Sequence, residues 1–89
     1  MKHIVIIVSG KVQGVFFRAS TKEKADQLGL KGFARNEPDG SVYIEAEGVD
    51  QSLDEFVAWC RTGPSRAQVT HLAIKEGVVK NYSTFDIRR

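Results

Sequence analysis

One segment near the amino terminus combines the residue types that bind an oxyanion. Gly10-Lys11-Val12-Gln13-Gly14 is a glycine-punctuated turn, and Arg18 follows four residues after its second glycine. Glycines let a chain curl so that successive backbone N–H groups converge, and the start of a following helix adds its positive end. The planar guanidinium of arginine can hold two phosphate oxygens at once. On spacing alone, a phosphate site is as well supported as a tight turn with Arg18 paired to a surface acid.

A second polar position of interest is Asn36, which comes directly before a predicted hairpin. Glu37-Pro38-Asp39-Gly40 follows it, and the Asp-Gly pair is a strong hairpin signal. An asparagine in this place commonly closes the turn through its own side chain. Taken by itself, the residue pattern therefore favours a structural role for Asn36.

Hydrophobic periodicity predicts the elements that must position these residues. The first helix is expected to begin near residues 18–21 and end at Leu28, and the second carries an apolar stripe that ends at Cys60. Strands are predicted over residues 4–9, 31–36, 41–47, 68–76 and 84–88, with Phe85 and Ile87 facing inward. Slipping alternation between Val69 and Leu72 indicates a bulge.

The order of these elements predicts an α+β fold. It is β-α-β-β-α-β with a short extra carboxy-terminal strand, the split βαβ or ferredoxin-like sandwich, with a mixed sheet and both helices on one face. The two strands of the first βαβ unit run parallel, so the loops that follow them leave the sheet at the same edge. If the third strand lies between them, those loops are roughly 10 Å apart. The loop 13–18 is thus expected to face Asn36.

Length and composition restrict the class of protein. Eighty-nine residues suit a single domain over residues 1–89, which we expect to be a monomer. A net charge of +2 is too small to predict nucleic acid or a membrane surface as the main partner. The longest aliphatic run, Ile4–Val8, is far shorter than the ~20 residues of a membrane span. A single cysteine, Cys60, indicates a reducing cytoplasm.

The two polar segments resemble the signatures of the acylphosphatase family. Gly10–Arg18, with the sequence GKVQGVFFR, is similar to the first signature of that family. Gly32–Asn36, followed by Gly40, Val42 and Gly48, is similar to the second. The likeness extends over nearly the whole chain, and the departures from the family pattern affect packing and the rim of the site.

The resemblance implies hydrolysis of small acyl phosphates to a carboxylate and inorganic phosphate, without a metal or cofactor. Arg18 and Asn36 would be the catalytic residues, with Asn36 holding the attacking water. The implied phosphate-binding residues are Gly14, Val15, Phe16, Phe17 and Arg18.

Two readings without catalysis remain open. One is a domain of the same fold that binds small anions but no longer turns them over. The other is an RNA-binding module, because Lys31–Ala34 matches the first four positions of an aromatic RNA-recognition motif. Arg35 stands where that motif needs a stacking aromatic, and the match falls on the second strand instead of the third.

Overall fold

The chain folds into the seven elements that the periodicity predicts. The computed structural model describes all 89 residues. Helix α1 begins at Phe17, slightly before the expected start, because Phe16 takes a left-handed conformation that ends the preceding loop. In chain order the elements are β1 (Lys2–Lys11), α1 (Phe17–Leu28), β2 (Lys31–Asn36), β3 (Val42–Gly48), α2 (Asp50–Cys60), β4 (Gln68–Gly77) and β5 (Phe85–Arg88).

The five strands form one mixed sheet in the order β4-β1-β3-β2-β5. All neighbours are antiparallel except β2 and β5, which are parallel. Strand β3 lies between β1 and β2 and is antiparallel to both, so β1 and β2 run in the same direction. The last residues of these strands, Lys11 and Asn36, therefore lie at the same end of the sheet. The partner of the terminal strand, which the sequence left undetermined, is β2.

The core lies between one face of the sheet and the two helices, as the ferredoxin-like fold requires. Alternate residues of β1 and β3 are buried against α1 and α2, while Phe85 is only 1% exposed. Ile87 lies on the same face of β5 as Phe85, but it is 43% exposed where it borders a cavity beside the start of α1. The buried residues that join sheet and helices include Ile4, Ile6, Val8, Phe17, Ala25, Val42, Ile44, Ala46, Leu53, Phe56, Cys60 and Phe85.

The predicted bulge in β4 is confirmed. The pairing between β1 and β4 passes from Ser9 opposite His71 to Gly10 opposite Val69, which leaves Thr70 as the extra residue. Gly10 has φ of 123°, and a β-carbon there would meet the carbonyl of Gln68. Gly10 therefore belongs to β1 and serves the close approach of the strands at the bulge, so the loop proper begins after Lys11.

A buried charged cluster lies on the face of the sheet away from the helices. The segment 78–84 crosses this face from β4 at one edge to β5 at the other. The backbone N–H groups of Lys80 and Tyr82 donate to the Glu47 carboxylate, which lies 2.6 Å from His3 Nδ1. Strand alternation alone assigns Glu47 to the face opposite the core, yet this covering segment leaves it 1% exposed.

The Glu47 cluster should make the stability of the fold sensitive to acid. Burial by itself raises the pKa of Glu47, but hydrogen bonds from Lys80, His3 and Tyr82 outweigh it and lower the pKa below its usual 4.5. The stabilisation is therefore complete above about pH 4.5 and is lost as the pH falls through the lower folded-state pKa. We expect Glu47→Gln to lower the free energy of unfolding at neutral pH by about 3 kcal/mol.

Urea unfolding across a pH series measures this effect. Glu47→Gln should also flatten the loss of stability below pH 4.5. Glu23→Gln, at an exposed position on α1, is the matched control and should behave as the wild type. Equal unfolding free energies for Glu47→Gln and the wild type would contradict the prediction.

Candidate active site

A cavity of about 280 Å³ opens at the end of the sheet where strands β1 and β2 finish. It brings together the two residues that the sequence singled out, Arg18 and Asn36, although 18 positions separate them along the chain. The two residues meet because the loops that carry them leave the sheet at the same end, as the βαβ order predicts. The complete lining consists of Val12, Gly14, Phe16, Phe17, Arg18, Ala19, Asn36 and Ile87.

The loop between β1 and α1 leaves a run of backbone amides without partners. The N–H groups of residues 14–18 donate to no backbone carbonyl, and the first bond of the helix runs from Ser20 N to Phe16 O. Gly14 and Phe16 both have left-handed backbone conformations, with φ of 73° and 61°. The side chain of Val15 is buried in the core, so this residue can contribute to the cavity only through its backbone. Five successive backbone donors at a helix start are therefore left without a partner in the protein.

Gln13 fixes the position of this loop against the hairpin after β2. Its side-chain amide donates to the carbonyl of Glu37 at 2.8 Å and to the carbonyl of Ser41 at 2.9 Å. Local sequence pattern predicts no role for Gln13. An amide side chain between two turn glycines was the one available signal, but its partners are 24 and 28 residues away.

Arg18 is held from the opposite side by the last strand. Its Nη1 donates to the carbonyl of Arg88 in β5 at 2.8 Å, and no acidic side chain pairs with it. The alternative of a surface ion pair for Arg18 is therefore wrong. A guanidinium has five N–H donors in a fixed fork, so one bond to Arg88 orients the group and leaves the other donors available.

Asn36 ends β2, and its side chain makes no hydrogen bond within the protein. The structural role that the residue pattern favoured is wrong, because other groups close the hairpin. Asp39 Oδ1 accepts hydrogen bonds from the backbone N and the hydroxyl of Ser41, and Glu37 N donates to the Ser41 carbonyl. The amide of Asn36 is therefore available to a ligand in the cavity.

Comparison with known proteins identifies the family. A sequence model of the acylphosphatase family matches residues 4–87. The chain belongs to the acylphosphatase family. An acylphosphatase from Methylococcus capsulatus is 47% identical over 90 residues, which covers 100% of this chain and 98% of that protein. An acylphosphatase from Archaeoglobus fulgidus is 44% identical over 82 residues, covering 92% of each chain. The crystal structure of acylphosphatase from Bacillus subtilis superposes with a TM-score of 0.97, at 36% identity and over the whole of both chains.

Membership of the acylphosphatase family makes this chain an acyl phosphate hydrolase. The cavity is the candidate site for that activity, since it combines a guanidinium, unpartnered backbone donors and a free amide. Such a group of donors suits a doubly charged oxyanion next to a polar molecule.

The other reactive groups of this acylphosphatase-family chain lie away from the cavity. Cys60 is fully buried in the core, where burial raises the pKa of its thiol to about 12 and keeps it protonated. No three His, Cys, Asp or Glu side chains converge in an arrangement that could hold a metal ion. With 12 and 11 residues, α1 and α2 both fall short of what a membrane-crossing helix needs.

Proposed function

We propose that the cavity hydrolyses small acyl phosphates to a carboxylate and inorganic phosphate, with Arg18 and Asn36 as its catalytic residues. Arg18 and the backbone of residues 14–18 hold the phosphoryl group, and Asn36 orients the attacking water. One observation carries the proposal: Arg18, Asn36 and the loop with five unpartnered amides surround the same cavity.

The phosphoryl group is bound by donors that need no rearrangement. The amides of Gly14, Val15, Phe16, Phe17 and Arg18 already lack partners, and Gln13 and the Arg88 carbonyl fix the loop and the guanidinium from two sides. Donors that are in place before the reaction stabilise the charge of the transition state without a reorganisation cost.

The chemistry requires little beyond this positioning. Asn36 can accept a hydrogen bond through its oxygen and donate through its nitrogen, so it can orient a water molecule. The water oxygen forms a bond to phosphorus while the bond between phosphorus and the acyl oxygen breaks. The electron pair of the broken bond leaves with the carboxylate. A carboxylate of pKa about 4 leaves without a general acid. The substrate phosphate accepts the proton of the water, which completes inorganic phosphate.

We expect the reaction to need no metal ion and no cofactor. The transition state of phosphoryl transfer is loose, and its charge can be stabilised by a guanidinium and amides in the absence of a cation. Hydrolysis of benzoyl phosphate should therefore proceed at the same rate with and without EDTA after extensive dialysis against the chelator.

This experiment separates the proposal from its alternatives. Activity that disappears with EDTA and returns with a divalent cation would overturn the metal-independent mechanism. A wild-type protein that binds inorganic phosphate through Arg18 but does not turn over benzoyl phosphate would be an anion-binding domain. Lys75→Ala removes one exposed positive charge on β4, outside the cavity, and serves as the control with unchanged rate.

Phe33, the aromatic residue of the partial RNA-recognition motif, is not accessible to a base. Phe33 is only 2% exposed, and the guanidinium of Arg88 lies 3.9 Å from the centre of its ring. The rings of Tyr82 and Phe33 form a T-shaped pair with their centroids 5.9 Å apart. A base could reach Phe33 only by displacing both groups, which supports hydrolysis over RNA binding.

We further propose that residues 1–89 act as one domain and as a monomer in the cytoplasm. One core cluster joins the sheet to both helices, which supports a single domain.

A further inference from the structure

The mouth of the cavity has an apolar side that phosphate binding does not use. Seven large hydrophobic residues of the protein are exposed, and two of them, Phe16 and Ile87, line this cavity. Phe16 is 74% exposed and Ile87 is 43% exposed. Buried Val12 continues the apolar lining. We call the pair Phe16 and Ile87 the apolar rim.

The backbone conformation of Phe16 is costly for the fold, and its side chain is mostly exposed. Phe16 has φ of 61° and ψ of 26°, and Asn81 is the only other non-glycine residue with positive φ. Asparagine tolerates this conformation, whereas a bulky side chain rarely adopts it. The exposed ring of Phe16 stacks on no other aromatic ring. The left-handed backbone belongs to the run of free amides, which glycine or asparagine would supply with less strain, so the exposed ring calls for a use of its own.

The charge of the lining limits what the rest of a substrate can be. Arg18 is the only charged residue that lines the cavity, and the phosphoryl group occupies it. No second cation of the lining is left for a further negative charge. The acyl group is attached to the phosphoryl group through one oxygen, so it must lie beside the groups that flank Arg18.

We infer that the apolar rim binds the acyl group of the substrate and favours uncharged apolar acyl groups, aromatic ones above all. This inference rests on the proposed function, since it takes the phosphoryl group to be held at Arg18. A flat aromatic acyl group would cover the exposed ring of Phe16 and the side chain of Ile87. That contact removes apolar surface from water. The methyl group of acetyl phosphate is smaller and would bury less apolar surface against the rim.

The test is the ratio of kcat/KM for benzoyl phosphate to that for acetyl phosphate, with spontaneous hydrolysis subtracted. In the wild type we expect a ratio of about ten or more, because even small differences in apolar contact change kcat/KM by about this factor. Phe16→Asn keeps a residue that tolerates left-handed backbone and removes the ring, and it should lower the ratio about fivefold to tenfold. Ile87→Ala tests the other half of the rim and should lower the ratio about threefold.

Val78→Ala is the matched control for the loss of an exposed apolar side chain. Val78 is 82% exposed and follows the end of β4 that pairs with His3, at the edge of the sheet opposite the cavity. The ratio should remain that of the wild type in this variant. Circular dichroism of each variant verifies that the fold is retained.

The outcomes distinguish this inference from the proposed function. If the wild type turns over both substrates and neither Phe16→Asn nor Ile87→Ala changes the ratio, the apolar rim does not bind the acyl group. A wild-type ratio near one would overturn the inference in the same way. If the wild type turns over neither substrate, the proposed function itself is wrong and the inference is overturned with it.

Discussion

Arg18→Ala is expected to lower kcat/KM for benzoyl phosphate at least about a hundredfold, because removal of a single oxyanion donor costs 10²–10³ in rate. The loss should exceed that of one donor, since the guanidinium of Arg18 also carries the only positive charge in the lining of the cavity. The loss should appear in substrate binding as well as in turnover. Inhibition by inorganic phosphate should weaken in parallel, because the product occupies the same donors.

Arg18→Lys distinguishes charge from geometry. Lysine keeps the positive charge but lacks the planar fork that can bond Arg88 and two phosphate oxygens at the same time. We expect its activity to lie between those of Arg18→Ala and the wild type. Lys75→Ala, which removes an exposed positive charge elsewhere, should be fully active. Unchanged inhibition by phosphate in Arg18→Ala would show that Arg18 does not hold the phosphoryl group.

Asn36→Ala is expected to have the second largest effect, and the effect should fall on a different kinetic constant. Without the amide the attacking water is no longer oriented, and a misplaced nucleophile costs about a hundredfold in kcat. Binding of inorganic phosphate should change less than about twofold, because the interaction lost with Asn36 is made mainly in the transition state. Steady-state kinetics together with the inhibition constant of phosphate separates these two effects.

The control for Asn36 is Gln51→Ala, which removes an exposed amide from the first turn of α2. This variant should retain wild-type kcat and wild-type phosphate inhibition. The role of Asn36 would be wrong if Asn36→Ala weakened phosphate inhibition and left kcat unchanged. In that case Asn36 would belong to the phosphate-binding groups, and another residue would have to orient the water.

Local sequence patterns were sufficient for the framework of the site. The alternation of apolar residues and the positions of glycine and proline predicted every strand and both helices, because these patterns follow from the periods of strand and helix. The parallel βαβ arrangement then implied that Arg18 and Asn36 meet at one edge of the sheet. The cavity at the ends of β1 and β2 agrees with that expectation.

Local patterns could not reveal which distant groups form hydrogen bonds with the polar side chains or cover them from solvent. Gln13 reaches the hairpin, and the last strand supplies the carbonyl of Arg88 to Arg18, contacts that span 24 to 70 residues of chain. The segment 78–84 buries Glu47, which alternation assigns to the face away from the core. Ile87 has the alternation of an inward residue but lies at the open edge beside the cavity.

The division between the two kinds of result has one physical cause. The periodicity of apolar residues shows on which face of a helix or strand each side chain lies, and this is a local property. Exposure, hydrogen-bond partners and the final orientation of a functional group depend on the segments that pack over that face, and these are brought there by the tertiary fold. The sequence alone therefore determined the order of the elements, the family resemblance and the candidate site residues, while the tertiary structure decided how Arg18 is oriented and why the amide of Asn36 is free.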